Sequence, residues 1–136
     1  MLRYATRMSH NEPAISFRYL VDDVAATVDF YALLGFEVRM HPGPGFAQLT
    51  LDGLAVNVNA VGGEGGASQK VAGETPTPGG WNRIQVRVED LDAQLASLAA
   101  AGVEPVDGVV EGRGGRQALI RDPSGNLVEL FQPHGH

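Results

Sequence analysis

The sequence predicts an α+β fold made of two βαβββ modules, and three observations carry that prediction. The first is a repeat. Val21-Asp22-Asp23-Val24-Ala25-Ala26-Thr27-Val28 and Leu34-Gly35-Phe36-Glu37 recur as Val88-Glu89-Asp90-Leu91-Asp92-Ala93-Gln94-Leu95 and Ala101-Gly102-Val103-Glu104, every pair 67 positions apart. A constant offset through a strand end, a helix and the helix's stop signal marks two copies of one supersecondary unit. The second is a change of apolar spacing within each copy, from strand alternation to a helical stripe and back. The third is the stretch from Gly62 to Gly80, which holds seven of the 18 glycines and separates the copies. So much glycine and proline costs too much entropy to be held in a helix or strand.

Each element follows in order. Residues 1–13 form an N-terminal arm. From 14 to 21 the chain alternates, with Ile15, Phe17, Tyr19 and Val21 on one face, as a strand does. Asp23 then caps a helix by accepting from its unpaired first-turn amides, apolar residues at 24, 28 and 31 form one stripe, and Gly35 ends it in a left-handed conformation. Strand-like runs at about 36–40, 46–51 and 54–60 complete a first module over 14–60, and residues 61–80 are the linker. The second module, 81–132, repeats the scheme: a strand at 82–88 with Ile84, Val86 and Val88 on one face, a cap at Asp90, a stripe at 91, 95 and 98, a stop at Gly102, and runs at about 103–110, 116–121 and 126–132. A tail of residues 133–136 follows. The offset widens to 72 between Gly53 and Gly125, which places an insertion in the hairpin loops of the second copy.

Composition narrows the function. At 136 residues and 14.4 kDa the chain makes one domain and buries roughly two thirds of its unfolded surface. It carries 10 basic and 16 acidic residues for a net charge of −6, which disfavours nucleic acid as a partner. No apolar run is long enough to span a bilayer, so no membrane association is expected. The absence of cysteine removes disulfides, thiolate metal sites and a cysteine nucleophile. The first 13 residues lack the apolar core of a signal peptide, and a cytoplasmic location is the expectation.

Several segments resemble the vicinal oxygen chelate superfamily of glyoxalases, bleomycin resistance proteins and ring-cleaving dioxygenases. They are Val21-Asp22-Asp23-Val24, Phe30-Tyr31, Leu34-Gly35-Phe36, Val88-Glu89-Asp90-Leu91 and, above all, Asp122-Pro123-Ser124-Gly125-Asn126-Leu127-Val128-Glu129-Leu130-Phe131. The resemblance spans about residues 14 to 132. It implies curled mixed sheets around a concave cleft, helices on the convex face, and pairing as a homodimer. It further implies where metal-using members place their ligands: one on the first strand of each module, commonly His, and one on the fourth, commonly Glu. Those positions are Ser16 and Arg83, then Asn57 and Glu129. Only Glu129 matches.

A divalent cation needs lone pairs, which a guanidinium does not have. The expectation is therefore a dismantled metal site, no cofactor, and Arg83 paired with Glu129 across the place an ion would take. Strand parity sets Ser16 and Arg18 on one face of the first strand and Arg83, Gln85 and Arg87 on one face of the fifth. Arg87 lies roughly 13 Å along the strand from Arg83 and belongs at the rim. The candidate ligand-binding residues are Ser16, Arg18, Asn57, Arg83, Gln85 and Glu129, with Trp81 bordering the cleft. Each has a plainer alternative. Arg83 and Glu129 stand equally well as a structural ion pair, Arg18 as a solvated edge residue and Trp81 as a cover for the sheet end. Gln85, Gln48, Asn57 and Asn59 also read as ordinary polar residues of a wet face. No catalytic residue stands out.

The histidines form no site by sequence. His10 lies in the arm, His134 and His136 in the tail, and His41 begins a turn, His41-Pro42-Gly43-Pro44-Gly45; each reads as a surface or rim histidine, with His41 the one placed to lean over the opening. Gly112-Arg113-Gly114-Gly115-Arg116 reads as a hairpin turn, since it lacks the helix start of a phosphate loop. The leading expectation is a metal-independent protein that binds or sequesters a neutral or anionic small molecule. The alternative is a lyase, isomerase or dioxygenase holding zinc, iron or manganese through Glu129 with His41 or His134. A ligand-free dimer is the third class.

Overall fold

The computed structural model describes residues 13–135. All but the last residue of the arm, with His10, and His136 of the tail lie outside them. The first module consists of β1 (Ser16–Val21), α1 (Val24–Ala32), β2 (Glu37–Gly43), β3 (Phe46–Leu51) and β4 (Leu54–Ala60). The second consists of β5 (Ile84–Arg87), α2 (Leu91–Ala100), β6 (Val110–Glu111), β7 (Gly115–Arg121) and β8 (Leu127–Pro133). Each module makes one four-stranded mixed sheet, ordered β1-β4-β3-β2 and β5-β8-β7-β6. In both sheets the first strand runs parallel to the last, and the other pairings are antiparallel. The fold is α+β, two βαβββ modules, with the sheets left open.

The helix signals act as expected. Asp23 accepts from the Ala26 amide at 3.1 Å and Asp90 from the Ala93 amide at 3.0 Å, while Gly35 (φ 99°) and Gly102 (φ 88°) take the left-handed conformation just past the helix ends. Val24, Phe30, Tyr31, Leu91 and Leu98 then face the sheets, where they meet Tyr19, Val21, Val56 and Val58 of one and Ile84, Val128 and Leu130 of the other in a single core.

Three local expectations are corrected. Ile15 is 83% exposed, because it precedes the first ladder pair, Ser16 with Ala55, and parity buries nothing outside the sheet. The strand expected over 103–110 shrinks to Val110–Glu111. Pro105 offers no amide, Asp107 turns back to bond the Gly108 amide at 2.8 Å, and only the Val106 amide reaches across, to the Leu119 carbonyl at 2.7 Å. His41 does not begin a turn: β2 runs on to Gly43, an edge strand in which Pro42 needs no ladder partner.

The modules are stitched together around the edges β1 and β5. The Tyr19 hydroxyl donates to the Leu127 carbonyl at 2.6 Å and accepts from the Ile84 amide at 3.2 Å. The turn Asp122-Pro123-Ser124-Gly125-Asn126 does the rest. Asn126 Nδ2 donates to the Leu20 carbonyl at 2.8 Å, Ser124 Oγ accepts the Asp22 amide at 2.7 Å, and the Tyr31 hydroxyl donates to Asp122 Oδ2 at 3.1 Å. Burial pushes the Tyr19 hydroxyl up to about 12, and burial together with the Asp122 carboxylate holds Tyr31 well above the ordinary tyrosine range. The first module's equivalent turn is only Asp52-Gly53, and beside it lies an open groove of about 630 Å³ between Leu51, Leu54 and the stretch from Arg87 to Asp90. The linker is pinned at both ends: Ser68 Oγ donates to the Ala60 carbonyl, and the Gly79 amide donates to Asn126 Oδ1 at 2.8 Å.

Candidate functional site

Because Tyr19, Val21, Val56, Val58 and Leu49 face the helices, strand alternation turns Ser16, Arg18, Asn57, Asn59 and Gln48 to the opposite face of the first sheet. That face is sheltered: Gln48, Asn57 and Asn59 are 9%, 8% and 5% exposed. Buried amides must be satisfied, and here they satisfy one another. Arg39 Nη1 donates to Gln48 Oε1 at 2.7 Å, Gln48 Nε2 donates to Asn57 Oδ1 at 2.8 Å, and Asn57 Nδ2 donates to Ser16 Oγ at 3.0 Å. One chain of hydrogen bonds thus crosses all four strands, from β2 to β1. Beside it, Arg18 Nη1 donates to Asn59 Oδ1.

The second sheet carries a charged cluster at the corresponding place. Arg83 donates twice to Glu129 Oε1, from Nε at 3.1 Å and Nη2 at 2.9 Å, and Gln85 Nε2 donates to Glu129 Oε2 at 2.7 Å. Arg83 Nη1 also reaches the Trp81 carbonyl at 3.3 Å. The Glu129 side chain is 9% exposed and that of Arg83 is 27%, so the pair is partly withdrawn from water.

The four positions where metal-using relatives place ligands therefore pair off inside their own sheets, Ser16 with Asn57 and Arg83 with Glu129. They do not fit a divalent cation. Both Glu129 oxygens are engaged by donors, one donor is a permanent cation, and the other two positions are neutral and already bonded. Among the described residues no three His, Asp or Glu side chains cluster as a metal site. His41 is exposed on the edge strand β2. His134 is fixed by its own bonds, Nε2 to the Gly112 carbonyl at 3.0 Å and its amide to the Gly114 carbonyl at 3.0 Å. It stands five residues beyond Glu129, roughly 17 Å along β8.

The remaining candidates separate. Arg18 is exposed and borders a small cavity of about 220 Å³ with Thr77, Gly79 and Asn82 of the linker's end. Arg87 is exposed and lines the groove beside Asp52, together with Gln85 of the Arg83 cluster and the acidic Glu89 and Asp90. Trp81 leaves 72% of its surface in water and takes part through its backbone carbonyl. Arg39 escaped the sequence. A register shift between Val38 and Met40 interrupts the alternation that would have assigned its face, and no other local signal marks it.

This architecture is shared with known proteins. The chain belongs to the glyoxalase/bleomycin resistance protein/dioxygenase superfamily, whose model matches residues 14–130. An uncharacterized protein of Mycobacterium bovis is 32% identical over 133 residues, covering 90% of this chain and 84% of that one. Among solved structures, TnmS3, an antibiotic binding protein from Streptomyces sp. CB03234, is 30% identical with a TM-score of 0.63, covering 90% of this chain and all of that one (100%). Lactoylglutathione lyase from Agrobacterium tumefaciens is 18% identical with a TM-score of 0.67, covering 91% and 96% of the two chains, a likeness of fold alone. No helix among the described residues is long and apolar enough to cross a membrane.

Proposed function

We propose that this chain binds a neutral or anionic small molecule on the sheltered polar face of its sheets, without a metal ion and without turning it over. The observation that carries the proposal is the Arg83–Glu129–Gln85 cluster: the one carboxylate at a family ligand position is committed to a guanidinium at 2.9 Å and an amide at 2.7 Å. A cation of the chain itself occupies the electrostatic role of an ion, which leaves binding as what the face can do. Ser16, Arg18, Asn57, Arg83, Gln85 and Glu129 are its anchors, with Trp81 at the border. Arg18 lends the rim positive charge, which favours anions over cations. The 30% identity to an antibiotic binding protein supports the same direction. A second copy of the chain is its proposed protein partner, and the cytoplasm its proposed location.

Two measurements test this together. Metal analysis of protein purified without chelator is expected to find no stoichiometric divalent ion. A thermal-shift panel of flat neutral, anionic and cationic aromatics is expected to stabilise the chain with neutral or anionic members, by about 2.7 kcal/mol at a hundredfold excess over the dissociation constant. Stoichiometric zinc, iron or manganese, or a preference for cations, overturns the proposal.

A further inference from the structure

The direction of the hydrogen-bond chain on the first sheet is dictated by chemistry. An arginine can only donate, so Gln48 must turn its carbonyl oxygen to Arg39. Its amide nitrogen then faces Asn57, which must present Oδ1 and turn its own nitrogen to Ser16. Ser16 accepts, and the hydroxyl proton is left over. Among the described residues it has no acceptor, and Ser16 is exposed at the start of β1. Each donor in such a chain polarises the next, so the terminal hydroxyl becomes a better donor than an isolated serine.

The second sheet is fixed in the opposite sense. A carboxylate can only accept, so Gln85 must turn its nitrogen to Glu129, and its carbonyl oxygen is left over. Gln85 too is exposed.

We infer that Arg39 and Glu129 act as polarity-setting residues, which make the first sheet present a hydrogen-bond donor at Ser16 and the second an acceptor at Gln85. The ligand class this selects carries a carbonyl, ester or carboxylate oxygen for Ser16 and an N–H or O–H for Gln85. In setting polarity Arg39 and Glu129 act through other side chains, Gln48 and Gln85, and in this role they are positioning residues. The selectivity rests on the small-molecule binding proposed above, whereas the polarity does not, and the test separates them.

Two isosteric substitutions turn the Ser16 hydroxyl inward without emptying the first chain. In Gln48→Glu an acceptor-only carboxylate keeps Arg39 paired but takes the Asn57 nitrogen, so Asn57 offers oxygen to Ser16 and the serine proton turns inward. Asn57→Asp has the same effect on Ser16. Scalar couplings across hydrogen bonds in labelled protein read the direction in the absence of ligand. The natural chain is expected to couple Gln48 Nε2 to the Asn57 carboxamide carbon, and Gln48→Glu is expected to couple Asn57 Nδ2 to the carboxylate carbon of the new residue. Coupling from Asn57 Nδ2 to the Gln48 carbon in the natural chain overturns the polarity.

Selectivity is read with methyl benzoate, which only accepts, and indole, which only donates, each titrated against the side-chain amide signals of Asn57 and Gln85. In the natural chain methyl benzoate, bound at Ser16, is expected to shift the Asn57 signals, and indole those of Gln85. Ser16→Ala and Gln48→Glu are each expected to weaken methyl benzoate about tenfold and leave indole unchanged. Equal loss of both probes, or no loss of either, overturns the selection. Failure of both probes to bind the natural chain counts against the binding function itself, and the couplings still decide the polarity.

Discussion

Replacing Arg83 by methionine should cost this fold about 2 kcal/mol. The figure comes from how far the ion pair is withdrawn from water. Removing one partner of a fully buried pair costs about 3–5 kcal/mol, whereas an exposed pair is worth under about 1 kcal/mol. The Glu129 side chain is 9% exposed and that of Arg83 is 27%, so the carboxylate is nearly dry while the guanidinium is a quarter wet. Arg83→Met removes two bonds to Oε1 and leaves the Gln85 amide on Oε2, a partly compensated buried charge. The double variant Arg83→Met with Glu129→Leu removes both charges and should return to within about 1 kcal/mol of the natural chain. Urea unfolding followed by far-ultraviolet circular dichroism measures all three, and the difference between the double variant and the sum of the singles gives the coupling. A cost for Arg83→Met below about 0.5 kcal/mol, or strict additivity, would refute the idea that the guanidinium neutralises a sheltered site.

Three further outcomes follow from the close packing within the second sheet and from the stitching. Gly115→Ala should cost more than about 3 kcal/mol or abolish folding, since a β-carbon there would sit 2.1 Å from the Gln132 carbonyl oxygen and force β7 from β8; a melting temperature near that of the natural chain contradicts this. Asp122→Ala should cost about 3 kcal/mol by orphaning the amides of Ser124 and Asn126 and the Tyr31 hydroxyl, read as a drop in the urea midpoint. Alkaline pH should also unfold the protein early. The Tyr19 pKa is raised from 10 to about 12 on folding, so its contribution is complete below pH 10 and is lost as pH rises from 10 to 12, about 3 kcal/mol in all, with Tyr31 acting in the same sense. A urea midpoint constant from pH 9 to 11.5 sinks that assignment, and Tyr19→Phe should flatten the decline in part.

Much of the fold was legible because its signals are local. Asp23 and Asp90 sit where a first turn needs an acceptor, and Gly35 and Gly102 where the chain must turn left-handed. The Arg83–Glu129 pair was legible through the family resemblance, which implies that both residues stand at metal-ligand positions, and the two do bond at 2.9 Å. What failed depends on pairing. Ile15 alternates correctly but has no strand beside it, and β6 loses its length to Pro105 and Gly108. The chain from Arg39 to Ser16 spans four strands and passes a register shift, so no window of sequence contains it. The bonds of Tyr19 and Tyr31 to residues 127 and 122 join the two modules, a relation that neither repeat displays alone.

The clasp between the halves is lopsided: the first contributes tyrosine hydroxyls, the second a five-residue hook, and the position matching Tyr31 in the second helix is Leu98. A chimera built from two first halves would own two keys and no lock; one built from two second halves, the reverse. The two halves are complementary parts, and neither can stand in for the other.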